Sequence, residues 1–378
     1  MVNKVILPGN LLSAQQLMLE KGVAFASWRM PFENIPNTII SEEPYREVDR
    51  ADDLMQAGPG FILAPFFPEE KVLFIASDIE LKGHNFASVQ LSFQHKNESV
   101  KEVLFHQDTG QQYKARLSDV IGRIKNHEAQ KVVISRVIEQ DALQKHELPL
   151  LFRELCQANP GAFVYLVNIP GKALWMGATP ELLLESNGKK ISTVALAGTR
   201  KKEAIGKWGN KEIEEQQWVS RYIRNCLQTA GCINIEESET QTVTSGNVEH
   251  LKTSFQAESA GDSFIPLLKA LHPTPAVCGW PARAAMDIIR QTEPYPRGFY
   301  TGFLGPFSAN GASALFVNLR CIQLLNSKIL IYAGGGITAE SDEASEWTET
   351  EMKSRNMLSA IEKIRNLATQ SESVFHEK

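Results

Sequence analysis

Two pairs of glutamates carry the first chemical signal. Glu212 and Glu215, in Lys211-Glu-Ile-Glu-Glu-Gln-Gln-Trp218, are three residues apart, and so are Glu346 and Glu349. At that spacing both members of a pair share one helix face. Taken alone, either pair is a solvated acidic face near a helix start, where carboxylates complement the helix dipole. Brought together, the four repel one another and demand a cation. An all-oxygen donor set favours Mg²⁺, which keeps waters or accepts substrate oxygens. Lys353 stands four beyond Glu349 and continues its face. Upstream, Gly334-Gly335-Gly336 lets a ligand come close to the backbone. No Gly-Lys-Ser/Thr follows, so the run is not a phosphate-binding P-loop.

Groups able to move a proton lie elsewhere. Lys131 opens the apolar run Lys131-Val-Val-Ile-Ser-Arg-Val-Ile. It is either a lysine snorkelling from a strand end or a buried amine whose lowered pKa lets it act as a base. Glu181, in Gly177-Ala-Thr-Pro-Glu-Leu-Leu-Leu184, is either exposed at a turn or buried, and burial would raise its pKa until it can donate a proton at neutral pH. Gly198 and Thr199, in Leu196-Ala-Gly-Thr-Arg200, either end a strand or offer close backbone and a hydroxyl to a ligand. Arg320 sits in Ala314-Leu-Phe-Val-Asn-Leu-Arg320, which reads as an otherwise apolar strand, and it needs an anion, either a structural partner or a substrate carboxylate gripped in bidentate fashion. Tyr300 reads as a core residue with a hydroxyl to spare, and His250 and His272 as isolated core or turn histidines.

The elements that must position these groups are mostly strands joined by turns. Strand-like runs start at Val72, Ala87, Lys131, Phe163, Ala173 and Leu182, and a long one spans Gln241 to Glu258. Asn187-Gly188 suits a type I′ hairpin turn. Phe299 to Ala333 has the spacing of an antiparallel meander with turns at Asn310-Gly311 and Asn326-Ser327. Helical periodicity covers 111–127, 149–158, 210–230, 265–271, 281–291 and 342–368. Helices are not interposed regularly between strands, which predicts α+β architecture with large antiparallel sheets rather than a doubly wound parallel sheet. Residues 1–110 read as an N-terminal part of the same fold without obvious chemistry, 111–370 as the core that holds every candidate group, and 371–378 as a frayed tail.

The chain of 378 residues, 43% hydrophobic and 22% charged, has the composition of a folded protein with a sizeable core. A net charge of −5 disfavours a nucleic-acid partner. Five cysteines without a CxxC pair suggest neither zinc nor a disulfide framework. No apolar run reaches membrane-spanning length and no secretory signal opens the chain, so the cytoplasm is the expected location.

Eight motifs in collinear order resemble the chorismate-utilising enzymes, among them isochorismate, salicylate, anthranilate and aminodeoxychorismate synthases. They are Lys131-Val-Val-Ile-Ser-Arg, Gly177-Ala-Thr-Pro-Glu-Leu, Leu196-Ala-Gly-Thr-Arg200, Lys211-Glu-Ile-Glu-Glu, His272-Pro-Thr-Pro-Ala-Val, Arg297-Gly-Phe-Tyr-Thr-Gly, Leu319-Arg320, and Gly334-Gly-Gly-Ile through Lys353. The resemblance spans roughly residues 115 to 365. It implies a single α+β domain of two stacked antiparallel sheets flanked by helices, as in anthranilate synthase component I, with an Mg²⁺-dependent chorismate site between them. By position, Glu215 and Glu349 are the implied metal ligands, with Glu212 and Glu346 lining the site through metal-bound waters. Arg320 and Tyr300 resemble the residues that grip the enolpyruvyl carboxylate. Gly198, Thr199 and Gly336 would make close contacts, and Lys353 would sit near the metal-bound carboxylate. A lysine at position 131 resembles members that use water as nucleophile. Anthranilate synthases typically have glutamine there, use ammonia and draw it from a glutaminase subunit, so no such partner is expected. Ala197 stands where aminodeoxychorismate synthases place a nucleophilic lysine. Lys131 as base and Glu181 as acid then imply isochorismate formation, and a salicylate synthase would carry the same residues before eliminating pyruvate. Gln216 departs from the histidine that often follows the metal glutamate, Arg200-Lys201-Lys202 from Arg-Pro-Arg, and Gly-Gly-Gly from Gly-Ala-Gly.

Overall fold

The strand Phe163–Ile169 shows how the chain builds its layers. Successive side chains of a strand point to opposite faces, and here both faces are buried and, Asn168 apart, apolar. Phe163, Tyr165 and Val167 enter one core cluster, whereas Val164 and Leu166 enter another. A strand buried on both sides belongs to the interior of a layered fold. The computed structural model describes residues 2–49, 51–94, 107–202, 206–245, 248–261, 263–309 and 311–376.

Among the described residues two large antiparallel sheets, of nine and ten strands, stack face to face. Tyr165, Trp175, Phe61 and Phe316 fill the space between them. Helices Leu11–Lys21, Leu148–Ala158 and Glu343–His376 cover the outer face of the nine-stranded sheet. Helices Asn210–Thr229 and Ile265–Leu271 cover that of the ten-stranded sheet. Both sheets take strands from the first 110 residues: Ala24–Arg29 joins the nine-stranded sheet and Gly60–Ala64 the ten-stranded one. The N-terminal part therefore completes the same two layers as the core.

The chain crosses between the sheets at two places that matter for chemistry. Strand Ala173–Thr179 lies in the nine-stranded sheet and Leu182–Asn187 in the ten-stranded one, so Glu181 sits on the first crossing. Strand Ala312–Val317 lies in the ten-stranded sheet and Cys321–Leu324 in the nine-stranded one, so Arg320 sits on the second. Backbone hydrogen bonds join the crossings: Val317 N–H donates to the Glu181 carbonyl at 2.9 Å and Ala178 N–H to the Arg320 carbonyl at 3.1 Å.

Several expectations need correction. Residues 299–333 are not one meander, because the chain changes sheet after Val317; Arg320 is outside any strand, with φ +47°. The hairpin after Leu182–Asn187 pairs Asn187 with Lys190, leaving Gly188-Lys189 as its loop. A I′ turn needs positive φ at both central residues, and here Gly188 has it (φ +65°) but Lys189 does not. Residues 241–258 form two paired strands, Gln241–Ser245 and Val248–Ser259. A helix at Leu11–Lys21 was hidden by the weak periodicity of its sequence, although Asn10 caps its start and Gly22, with φ +64°, its end. The last helix runs through His376, so residues 371–376 are helical rather than a tail. Asn310 lies outside the described residues.

Candidate active site

A cavity of about 650 Å³ opens where the two crossings meet the N-terminal turns of helices Asn210–Thr229 and Glu343–His376. Lys131, Glu181, Gly198, Tyr300, Arg320, Gly336 and Lys353 line it, together with Glu212, Glu215, Glu346 and Glu349. The structure thus brings together residues up to 222 positions apart. The side chain of Thr199 lies outside the described residues.

Lys131 is buried at the start of strand Lys131–Asp141, and its Nζ donates to Glu215 Oε1 at 2.5 Å. That ammonium is the main reason the Glu215 carboxyl titrates below its ordinary value despite burial, with help from the Gly198 backbone amide. Lys353 makes the matching pair on the other helix, donating to Glu349 Oε1 at 2.7 Å and to the Gly334 carbonyl at 2.9 Å. Glu346 is buried and accepts a 2.8 Å bond from Ser341 Oγ.

The three glycines of strand Lys328–Ile337 each make room for a different functional side chain. A Cβ on Gly334 would stand 2.9 Å from the Ile134 carbonyl oxygen and 3.0 Å from the Tyr300 hydroxyl, one on Gly335 2.8 Å from Glu346 Oε2, and one on Gly336 2.6 Å from Lys131 Cε. Gly198 acts similarly on the opposite wall. It forms a β-bulge at φ +67°, and a Cβ there would press on Glu212.

Glu181 is buried, and burial pushes its carboxyl up to about 7 against the pull of Lys131, Lys353 and Arg320. Such a group holds a proton it can surrender near neutrality. Arg320 is held below its ordinary value by burial, with Glu181 opposing that shift. Its left-handed backbone is a costly conformation for a residue with a Cβ, and such strain persists where the surroundings over-determine it. Tyr300 is buried against Tyr332, with ring centroids 5.1 Å apart.

His250 also lines the cavity, which its isolation in the sequence did not suggest. Pairing across the bulge, Thr199 with His250, sets it beside Gly198, whose carbonyl lies 3.1 Å from His250 Nδ1. A carbonyl only accepts, so Nδ1 carries the hydrogen, and burial lowers the imidazole to about 4 and keeps it neutral. Only the long-range strand register places it here. His272, by contrast, is bonded to the Pro65 and Phe66 carbonyls as a turn histidine.

Among the described residues, no group of three or more His, Cys, Asp or Glu side chains stands close enough together to hold a metal ion. Two of the four candidate carboxylates are instead matched by lysines. The lining is nevertheless rich in carboxylate oxygens. Glu181, Glu214 and Glu340 join the four, so seven carboxyl groups face Lys131, Lys353 and Arg320. A further anion entering this space needs added positive charge, and the oxygen-only donors are those a divalent ion such as Mg²⁺ accepts.

A sequence profile of chorismate binding enzymes matches residues 67–362. The vibriobactin-specific isochorismate synthase of Vibrio cholerae is 30% identical, the alignment covering 92% of this chain and 90% of that one. The solved structure of the menaquinone-specific isochorismate synthase of Escherichia coli superimposes with a TM-score of 0.76 at 18% identity, covering 95% of this chain and 94% of that one. Anthranilate synthase component I of Streptococcus pneumoniae superimposes with a TM-score of 0.67 at 17% identity, covering 94% and 92%. No helix among the described residues is long and apolar enough to cross a membrane.

Proposed function

The chain belongs to the chorismate binding enzymes, and from that membership we propose that it is an isochorismate synthase, converting chorismate to isochorismate by adding water at C2 with loss of the C4 hydroxyl. The observation that carries the proposal is the presence of Lys131 and Glu181 on the wall of one cavity, with Glu181 titrating near neutrality. The reaction needs a base to activate water and an acid to protonate the departing hydroxyl. Lys131, whose Nζ is bonded to Glu215, is the base that activates the water. Glu181 supplies the proton to the leaving oxygen. Arg320 and Tyr300 hold the enolpyruvyl carboxylate, the guanidinium matching its two oxygens. Gly198 and Gly336 keep the walls close, with Thr199 beside Gly198, and Lys353 balances carboxylate charge. Mg²⁺, held by Glu215 and Glu349 with Glu212 and Glu346 around it, would supply positive charge for the ring carboxylate and orient it.

The test is to incubate the pure protein with chorismate and Mg²⁺ and resolve the products. Isochorismate alone supports the proposal. Salicylate with pyruvate makes the enzyme a salicylate synthase, and no consumption of chorismate refutes both.

A further inference from the structure

Behind the cavity, and absent from its described lining, lies a fully buried ion pair between Glu293 and Arg297. All five guanidinium donors have acceptors. Nε donates to Glu293 Oε2 at 2.8 Å, and Nη2 to Glu293 Oε1 at 2.7 Å and the Val133 carbonyl at 2.6 Å. Nη1 donates to the Val277 carbonyl at 3.1 Å and to Thr301 Oγ1 at 3.2 Å. Glu293 Oε1 also accepts from Ser135 N–H at 2.7 Å and Ser135 Oγ at 2.8 Å.

Those partners come from three segments that form the cavity wall. Val133 and Ser135 belong to the strand that Lys131 opens. Val277 lines the cavity from the loop before Gly279. Thr301 adjoins Tyr300 and donates from Oγ1 to the Tyr300 carbonyl at 2.6 Å, while Tyr300 N–H donates to the Arg297 carbonyl at 3.0 Å. Thr301 has φ +59°, and its N–H donates to the carbonyl of Asn318, two residues before Arg320. One planar side chain thus ties the backbone that carries the base to the backbone that carries the carboxylate-binding pair.

We propose that Arg297, held by Glu293, is a positioning residue that fixes the separation between Lys131 and the Tyr300–Arg320 wall. The inference rests on the reading of this cavity as the chorismate site. The five-donor fork is what the task requires. Lysine has three donors from one point and cannot bridge three segments at once. Because Arg297 is off the cavity wall, its loss misplaces reacting groups without removing a binding contact, and misplacement near 1 Å costs about 10²-fold in rate.

The experiment compares wild type, Arg297→Lys and the milder Ser135→Ala, which removes one donor from Glu293 and serves if the lysine variant does not fold. Chorismate consumption is measured whichever product forms, alongside amide hydrogen exchange of the protein without substrate. The expected result for Arg297→Lys is a kcat lowered about 10²-fold with little change in KM, and faster exchange confined to residues 131–137, 277–279 and 299–302. Ser135→Ala should show the same pattern, smaller. Unchanged kcat, or exchange that rises uniformly, overturns the inference. Wild type that leaves chorismate untouched, with the exchange pattern as expected, refutes the proposed reaction and leaves the clamp standing.

Discussion

Gly336→Ala is the sharpest test of how the glycine strand serves the chemistry. Gly336 pairs with Val133 in a regular antiparallel ladder and has no positive φ, so alanine suits its backbone. By reducing the freedom of the unfolded chain, the substitution should stabilise by about 0.4–1 kcal/mol if nothing else moves. What moves is Lys131. The new methyl would stand 2.6 Å from Lys131 Cε and 3.3 Å from its Nζ, whereas ordinary contact begins at 3.4–4 Å. The end of a flexible side chain yields at little cost, retreating by about 1 Å, the difference between those distances. A base displaced by that much costs about 10²-fold in kcat, or ~2.7 kcal/mol of barrier. The assay is steady-state chorismate consumption with Mg²⁺, paired with a thermal melt. The expected outcome is a melting temperature at or slightly above wild type, kcat down about 10²-fold and KM nearly unchanged. Wild-type kcat would refute the reasoning. A rise in KM alone would mean that Gly336 chiefly admits substrate to the backbone rather than Lys131.

Glu181 must be protonated to act as the acid, so kcat/KM should fall as pH rises through about 7, the value at which burial holds its carboxyl; a flat pH–rate profile from 6 to 8.5 would count against this role. Lys131→Ala and Glu181→Gln should each abolish product while chorismate binding in the presence of Mg²⁺ persists in calorimetry, and full turnover by either variant would sink the assignment. Gly335→Ala should push Glu346 aside, since a Cβ would stand 2.8 Å from its Oε2; weaker Mg²⁺ binding in titrations is the expected result, and wild-type affinity would remove Glu346 from the cation site. Chelation should stop turnover and added Mg²⁺ restore it, measured on the same sample.

Much of the local architecture was legible because it depends on neighbours in sequence. Periodicity places the helix Asn210–Thr229 to within a residue, and the β-branched run places the start of the strand Lys131–Asp141, which extends three residues beyond Ile138. The hairpin turn departs from expectation because Asn187-Gly188 matches a I′ pattern, yet strand register puts Gly188 first in the loop. Arg320 departs from its expected strand for a related reason. Its apolar approach reads as strand, and only the change of sheet after Val317 reveals the crossing.

Residue type and spacing alone identify the groups available for chemistry: two glutamate pairs at helical spacing, a lysine opening an apolar strand, and a glutamate after Thr-Pro. These are short-range properties, set by helix pitch and strand alternation. Tertiary structure decided which of them meet. It set Lys131 against Glu215, 84 residues away, and seated Glu181 in a buried site that lifts its carboxyl toward neutrality. It also gave each glycine of the 334–336 run its own side chain to accommodate. Burial and contact between distant segments come from stacking two sheets and crossing between them, and no spacing along the chain encodes that distance.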